Sequence, residues 1–97
     1  LKKMSDAGVK ITVGTDGNTP WAPHVEMDDM VASGMTPSQV IVAATKNGAD
    51  FLRMAGTGTI ANGSIADFVI LDANPLEDIT NTRKISAVYL RGAPVPR

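Results

Sequence analysis

Gly8-Val9-Lys10-Ile11-Thr12-Val13-Gly14-Thr15-Asp16-Gly17-Asn18-Thr19-Pro20 is the stretch that decides the fold class. Val9, Ile11, Thr12 and Val13 are β-branched, so Val9 to Val13 predicts a short buried strand. From Gly14 to Pro20 turn formers dominate, which predicts a polar loop at the strand's C-terminal end. Upstream, Leu1, Met4 and Ala7 or Gly8 fall on one helical face, and Gly8 suits a left-handed helix end. A helix end, a short link, a buried strand and a polar loop make the αβ half of an α/β unit.

Downstream, Val25 to Ser33 predicts a short helix. Met27, Met30 and Val31 share one face, and Glu26, Asp28 and Asp29 load the first turns, where the helix dipole favours acid. Thr36-Pro37-Ser38-Gln39 predicts a second helix start, with Thr36 as N-cap, Pro37 in the first helical position and Gln39 closing a capping box. That helix is expected to run to about Met54, with Val40, Ala44, Gly48, Phe51, Leu52 and Ala55 as its apolar stripe. Gly48 is a poor helix former, worth up to ~1 kcal/mol against Ala. After Gly56 the pattern turns to β. Gly58-Thr59-Ile60 and Asp67 to Asp72 are expected to form a hairpin around Asn62-Gly63. Asn74-Pro75 breaks the chain, Leu76 to Thr82 is irregular, and Ile85 to Leu90 predicts a further strand before a turn at Arg91-Gly92. The chain therefore divides into an α/β part, residues 1–56, and a β part, residues 57–97.

Composition removes several classes of function. The chain has 97 residues, 43% of them hydrophobic and 20% charged, so it is neither a disordered tail nor a large domain. Nine basic against ten acidic residues leave no electrostatic footprint for nucleic acid or an anionic membrane. The absence of cysteine excludes disulfides, thiolate metal sites and a Cys nucleophile, and one histidine excludes a His-rich metal site built from this chain alone. No apolar run approaches the ~20 residues of a membrane span, and no signal peptide is visible. With the lack of cysteine, this favours a cytoplasmic location. Because the chain opens at Leu1 within a helix pattern, it is expected to be a piece of a longer protein.

Asp16 carries the strongest chemical signal. It follows a strand's C-terminal end, where parallel α/β folds build their sites, and Gly14 and Gly17 would admit close approach. A carboxylate there can bind a metal or act as a general base, or it can cap its own turn. His24 can touch substrate or metal, or serve as a hydrogen-bonded structural residue near a helix start. Trp21, beside Asn18 and Thr19, can wall a pocket or pin its loop to the core. Glu26, Asp28 and Asp29 read as a solvated first turn rather than a metal cluster. Met27, Met30, Met35 and Met54 read as core or gap-filling residues. Lys46 and Arg53 read as surface charges. The glycines at 58 and 63 lack the Gly-Lys-Ser/Thr ending of a phosphate loop.

Four segments together resemble the C-terminal end of the amidohydrolase superfamily, near its imidazolonepropionase-like and prolidase-like hydrolases. They are Gly8 to Asp16; Pro23-His24-Val25-Glu26 leading to Met30 to Pro37; Ala43-Ala44-Thr45-Lys46-Asn47-Gly48-Ala49; and Gly58 to Leu76. The last is the most specific, with Gly-Thr-Ile, Ala-Asp-Phe-Val and Asn-Pro-Leu in order. The resemblance implies the last strand and helices of a (β/α)₈ barrel over residues 1–56. It implies the C-terminal strands of a small composite β-sandwich over residues 57–97. It also implies a divalent metal, zinc, in the complete enzyme, with Asp16 both contacting the metal and taking a proton from the attacking water. Asn18, Trp21 and His24 would face a small amide or peptide substrate.

The departures are equally informative. The family's His-x-His, its bridging Lys or carboxylate and its middle-strand histidines have no counterpart here. A catalytic zinc needs about three protein ligands. The isolated chain is therefore expected to bind no metal tightly and to be inactive, completed by the remainder of the barrel. The competing expectation is a self-associating or binding module without catalysis, since a barrel piece exposes strand edges and a helix face.

Overall fold

The computed structural model describes residues 1–14 and 19–96. Four helices come first: α1 (Lys2–Asp6), α2 (Ala22–Ala32), α3 (Pro37–Ala44) and α4 (Lys46–Phe51). Strand β1 (Phe68–Leu71), a 3₁₀ helix (Ile79–Arg83), β2 (Ile85–Leu90) and β3 (Ala93–Pro94) follow. The three strands form one antiparallel sheet in the order β1-β2-β3.

Helix α1 ends as its sequence predicts, with Gly8 at φ +87°. The expected strand Val9–Val13 is not a paired strand. A strand is defined by its ladder partner, and none of the described residues supplies one. The segment is held from the side instead. Asn47 Nδ2 donates to the Ile11 carbonyl at 2.9 Å, Lys10 pairs with Asp50 at 3.1 Å, and Ile11 and Val13 pack on the core.

Helix α2 starts earlier than the sequence pattern indicates, at Ala22, so His24 lies inside its first turn rather than before it. Helix α3 has the expected capping box. Thr36 Oγ1 accepts from Gln39 N at 3.1 Å, and Gln39 Oε1 accepts from Thr36 N at 2.9 Å. The single helix expected to reach Met54 is broken at Thr45, whose backbone turns to φ −125°, ψ −85°. The Thr45 hydroxyl donates to the Ile41 carbonyl at 2.7 Å, the local side-chain bond by which Thr competes with the helix ladder. The break resets the helical phase and overturns the expected stripe. Val40 is fully buried with Ala43, whereas Ala44 is exposed and Phe51 is 79% exposed.

The core is small: Met27, Met30, Met35, Val40, Ala43 and Ile79, flanked by Ile11, Val13, Val31 and Ile41. Met54, expected inside, is exposed. Ile79 comes from the 3₁₀ helix, so the last 40 residues contribute to the core formed by α2 and α3.

The hairpin expected around Asn62-Gly63 does not form. Gly63 makes a turn at φ +84°, but β1 pairs with β2, with Phe68 opposite Tyr89 and Val69 opposite Val88. The Phe68 and Tyr89 rings stack with centroids 4.8 Å apart, a cross-strand contact that helps fix the register. Gly58 lies against α4 instead, while Ile60 is exposed. At Gly58, φ +86°, a Cβ would stand 2.8 Å from Ala49 Cβ and 3.1 Å from the Thr45 carbonyl. The β2–β3 turn has two central residues of positive φ, Arg91 at +51° and Gly92 at +79°, the twist that suits a two-residue hairpin. Asp67 secures it by accepting the Arg91 N–H at 2.7 Å. Asn74 in Asn-Pro-Leu works similarly, its Oδ1 accepting Leu76 N at 2.9 Å. The most recognisable motif of the sequence thus contains residues that fold turns, Asn74 within the motif and Asp67 in the distant β2–β3 turn.

Candidate functional site

Asp16 and Asn18, the expected metal-contacting base and a substrate-facing residue, lie outside the described residues. The site is therefore built from their flanks. Gly14 precedes them, with nothing within 4 Å of the place a Cβ would take. Thr19 and Pro20 follow as a turn, with the Thr19 carbonyl accepting Ala22 N at 3.2 Å.

Trp21 is the N-cap residue of α2 and caps with no side-chain bond. Its carbonyl accepts His24 N at 3.0 Å and Val25 N at 3.2 Å. The indole is 59% exposed, so it does not pin the loop to the core and is available to a molecule in solution. His24 is half-buried. Its Nδ1 is 2.9 Å from Thr82 Oγ1 on the 3₁₀ helix. Either atom can be the donor, since a neutral imidazole has two tautomers. Trp21 and His24 therefore stand in one turn, immediately after the segment that carries Asp16.

Because α2 begins at Ala22, its first turn carries no acidic residue, contrary to the expectation for Glu26, Asp28 and Asp29, which fall further along the helix. Arg83 reaches Asp28 with both terminal nitrogens, at 3.1 and 2.6 Å. This fork-to-carboxylate pair is the stronger form of ion pair. Its hydrogen bond raises the Arg83 guanidinium further above its ordinary range, so that charge is permanent. No sequence pattern linked Thr82 or Arg83 to α2, because both contacts join residues far apart in the chain.

Among the described residues no group of three His, Cys, Asp or Glu side chains could hold a metal ion. The single imidazole commits Nδ1 to a hydroxyl. The described residues therefore do not by themselves fit a divalent cation.

Elsewhere an open groove of about 300 Å³ lies between the end of α1, Val9–Ile11 and α3, with Lys10, Gln39, Val42 and Asn47 in its wall. Neither Trp21 nor His24 lines it. Asp50 beside this segment is held below the ordinary carboxylate range by its hydrogen bonds to Lys46 and Lys10. No helix of the described residues is long and apolar enough to cross a membrane.

The chain matches the amidohydrolase family over residues 1–95. It is 32% identical over 92 residues to the imidazolonepropionase of Deinococcus deserti, covering 90% of this chain and 23% of that protein. A Xaa-Pro dipeptidase with methionine bound in its active site superposes with a TM-score of 0.88 and 31% identity, over 99% of this chain and 24% of that one. A molinate hydrolase superposes with a TM-score of 0.87 and 33% identity, over 96% of this chain and 25% of that one. The chain thus spans about a quarter of the length of the proteins it matches. On the family match and these likenesses, the chain belongs to the amidohydrolase family.

Proposed function

We propose that this chain is the C-terminal share of a hydrolase that cleaves carbon–nitrogen bonds in small amides, cyclic amides or dipeptides. The observation that carries the reading is the superposition of 99% of the chain on a dipeptidase with an amino acid in its active site. In this reading residues 1–56 are the end of a (β/α)₈ barrel and residues 57–97 are strands of a composite sandwich. The unpaired segment Val9–Val13 would find its ladder partners in the remainder of the barrel. That remainder would also cover Phe51, Leu52 and Ile60, which are exposed in this chain.

Asp16 is the residue with a chemical task. A carboxylate just past a strand end can accept a proton from an attacking water and return it to the leaving nitrogen. Asp16 would also contact a divalent metal, zinc by the resemblance, whose other ligands this chain does not contain. Trp21 offers an exposed apolar face to the substrate, His24 a ring nitrogen and Asn18 an amide.

The test is Asp16→Asn in the polypeptide that carries this chain, assayed for hydrolysis of dipeptides, cyclic amides and ureas. Loss of a general base predicts a fall in kcat of about 10² to 10⁴. Asp29→Asn, at an exposed carboxylate of α2, should leave the rate unchanged. A rate preserved in Asp16→Asn would refute the role.

A further inference from the structure

The 3₁₀ helix holds α2 by three neighbouring contacts. Ile79 enters the core beside Met27 and Met30. Thr82, only 6% exposed, holds His24 through its hydroxyl at 2.9 Å. One residue further on, Arg83 grips Asp28 through both terminal nitrogens. His24 and Asp28 are four residues apart, so they lie one turn from each other on the same helix face. The His24 amide in turn donates to the Trp21 carbonyl at 3.0 Å. A continuous path of bonds therefore runs from the C-terminal part of the chain to Trp21.

We infer that Thr82 is a positioning residue for the site. Its hydroxyl fixes the orientation of the His24 ring, and with the Arg83–Asp28 pair it fixes the N-terminal half of α2, which Trp21 caps. A buried hydroxyl left without a partner is costly. Flipping the imidazole would place a ring carbon against Thr82 Oγ1 and lose that bond. The ring is thus held with Nδ1 committed to Thr82, leaving Nε2 as the nitrogen for a substrate group. This significance rests on the proposal that Trp21 and His24 meet substrate, whereas the positioning itself does not.

The experiment uses two reporters that occur once each in the sequence, His24 and Trp21. The full 97-residue chain is compared with Thr82→Val, which keeps the shape and removes the hydroxyl, and with Thr82→Ser, which keeps the hydroxyl. The readout is the NMR signals of the His24 ring nitrogens, the Trp21 indole and the amides of residues 21–25. In Thr82→Val the His24 ring signals should move to those of the urea-unfolded chain. The Trp21 indole and nearby amides should shift with them, while the amides of Val88 and Tyr89 stay in place. Thr82→Ser should restore the original spectrum. Superimposable His24 and Trp21 signals in Thr82→Val overturn the inference, as do unfolded-like His24 signals in the unsubstituted chain. Should Thr82→Val also disturb Val88 and Tyr89, Thr82→Ser decides: original His24 signals support the inference and unfolded-like signals overturn it. No catalysis is read, so a failed role for Asp16 would leave this result standing.

Discussion

At the scale of single residues, two glycines that look alike in the sequence make opposite demands. Gly58 combines φ +86° with a Cβ position only 2.8 Å from Ala49 Cβ, and its other neighbours are backbone. Left-handed backbone disfavours any L side chain, and the close approach adds a clash. Gly48 sits inside α4 with nothing within 4 Å of its Cβ position. Gly58→Ala is expected to destabilise the chain by about 2 kcal/mol or more. Gly48→Ala should stabilise it by about 0.5–1 kcal/mol. Urea unfolding of the two variants checks both signs. The sequence pattern exposes Gly48 as a poor helix former because that is a local property. It cannot expose the demand at Gly58, which comes from a loop pressed against a helix.

At the scale of elements, sequence reading succeeded where the determinants are local and failed where they are not. The capping box at Thr36 and Gln39, the strand Ile85–Leu90 and the turn at Arg91-Gly92 all formed as their residues predict. The Asn62-Gly63 hairpin failed because an Asn-Gly turn does not choose a strand's partner, and the Phe68–Tyr89 stack favours a more distant one. The long helix failed at Thr45, and the consequence can be measured. Val40 is fully buried in α3 and Phe51 is largely exposed at the end of α4. Val40→Ala should cost about 2 kcal/mol, while Phe51→Ala should change stability by no more than about 0.5 kcal/mol. An uninterrupted helix with the original stripe would require both substitutions to be costly.

At the scale of the whole molecule, the sequence carries family membership more plainly than it carries the site. The motifs that identify the family include Asp67 and Asn74, which fold turns through short-range or paired-strand bonds. The His24–Thr82 and Asp28–Arg83 contacts join residues 58 and 55 positions apart, and no periodicity announces them. The chemistry proposed for Asp16 is incomplete here for a reason of stoichiometry. Asp16 with the sole histidine falls short of the about three protein ligands that a catalytic zinc takes, and among the described residues no group of three His, Cys, Asp or Glu side chains could hold a metal. In the proposed function this chain therefore contributes Asp16 to a metal site that other residues complete. A native mass spectrum of the purified 97-residue chain with equimolar zinc tests it most directly. The expected result is species at 10.1 kDa or its multiples with no stoichiometric zinc. One zinc ion retained by a single chain would contradict it.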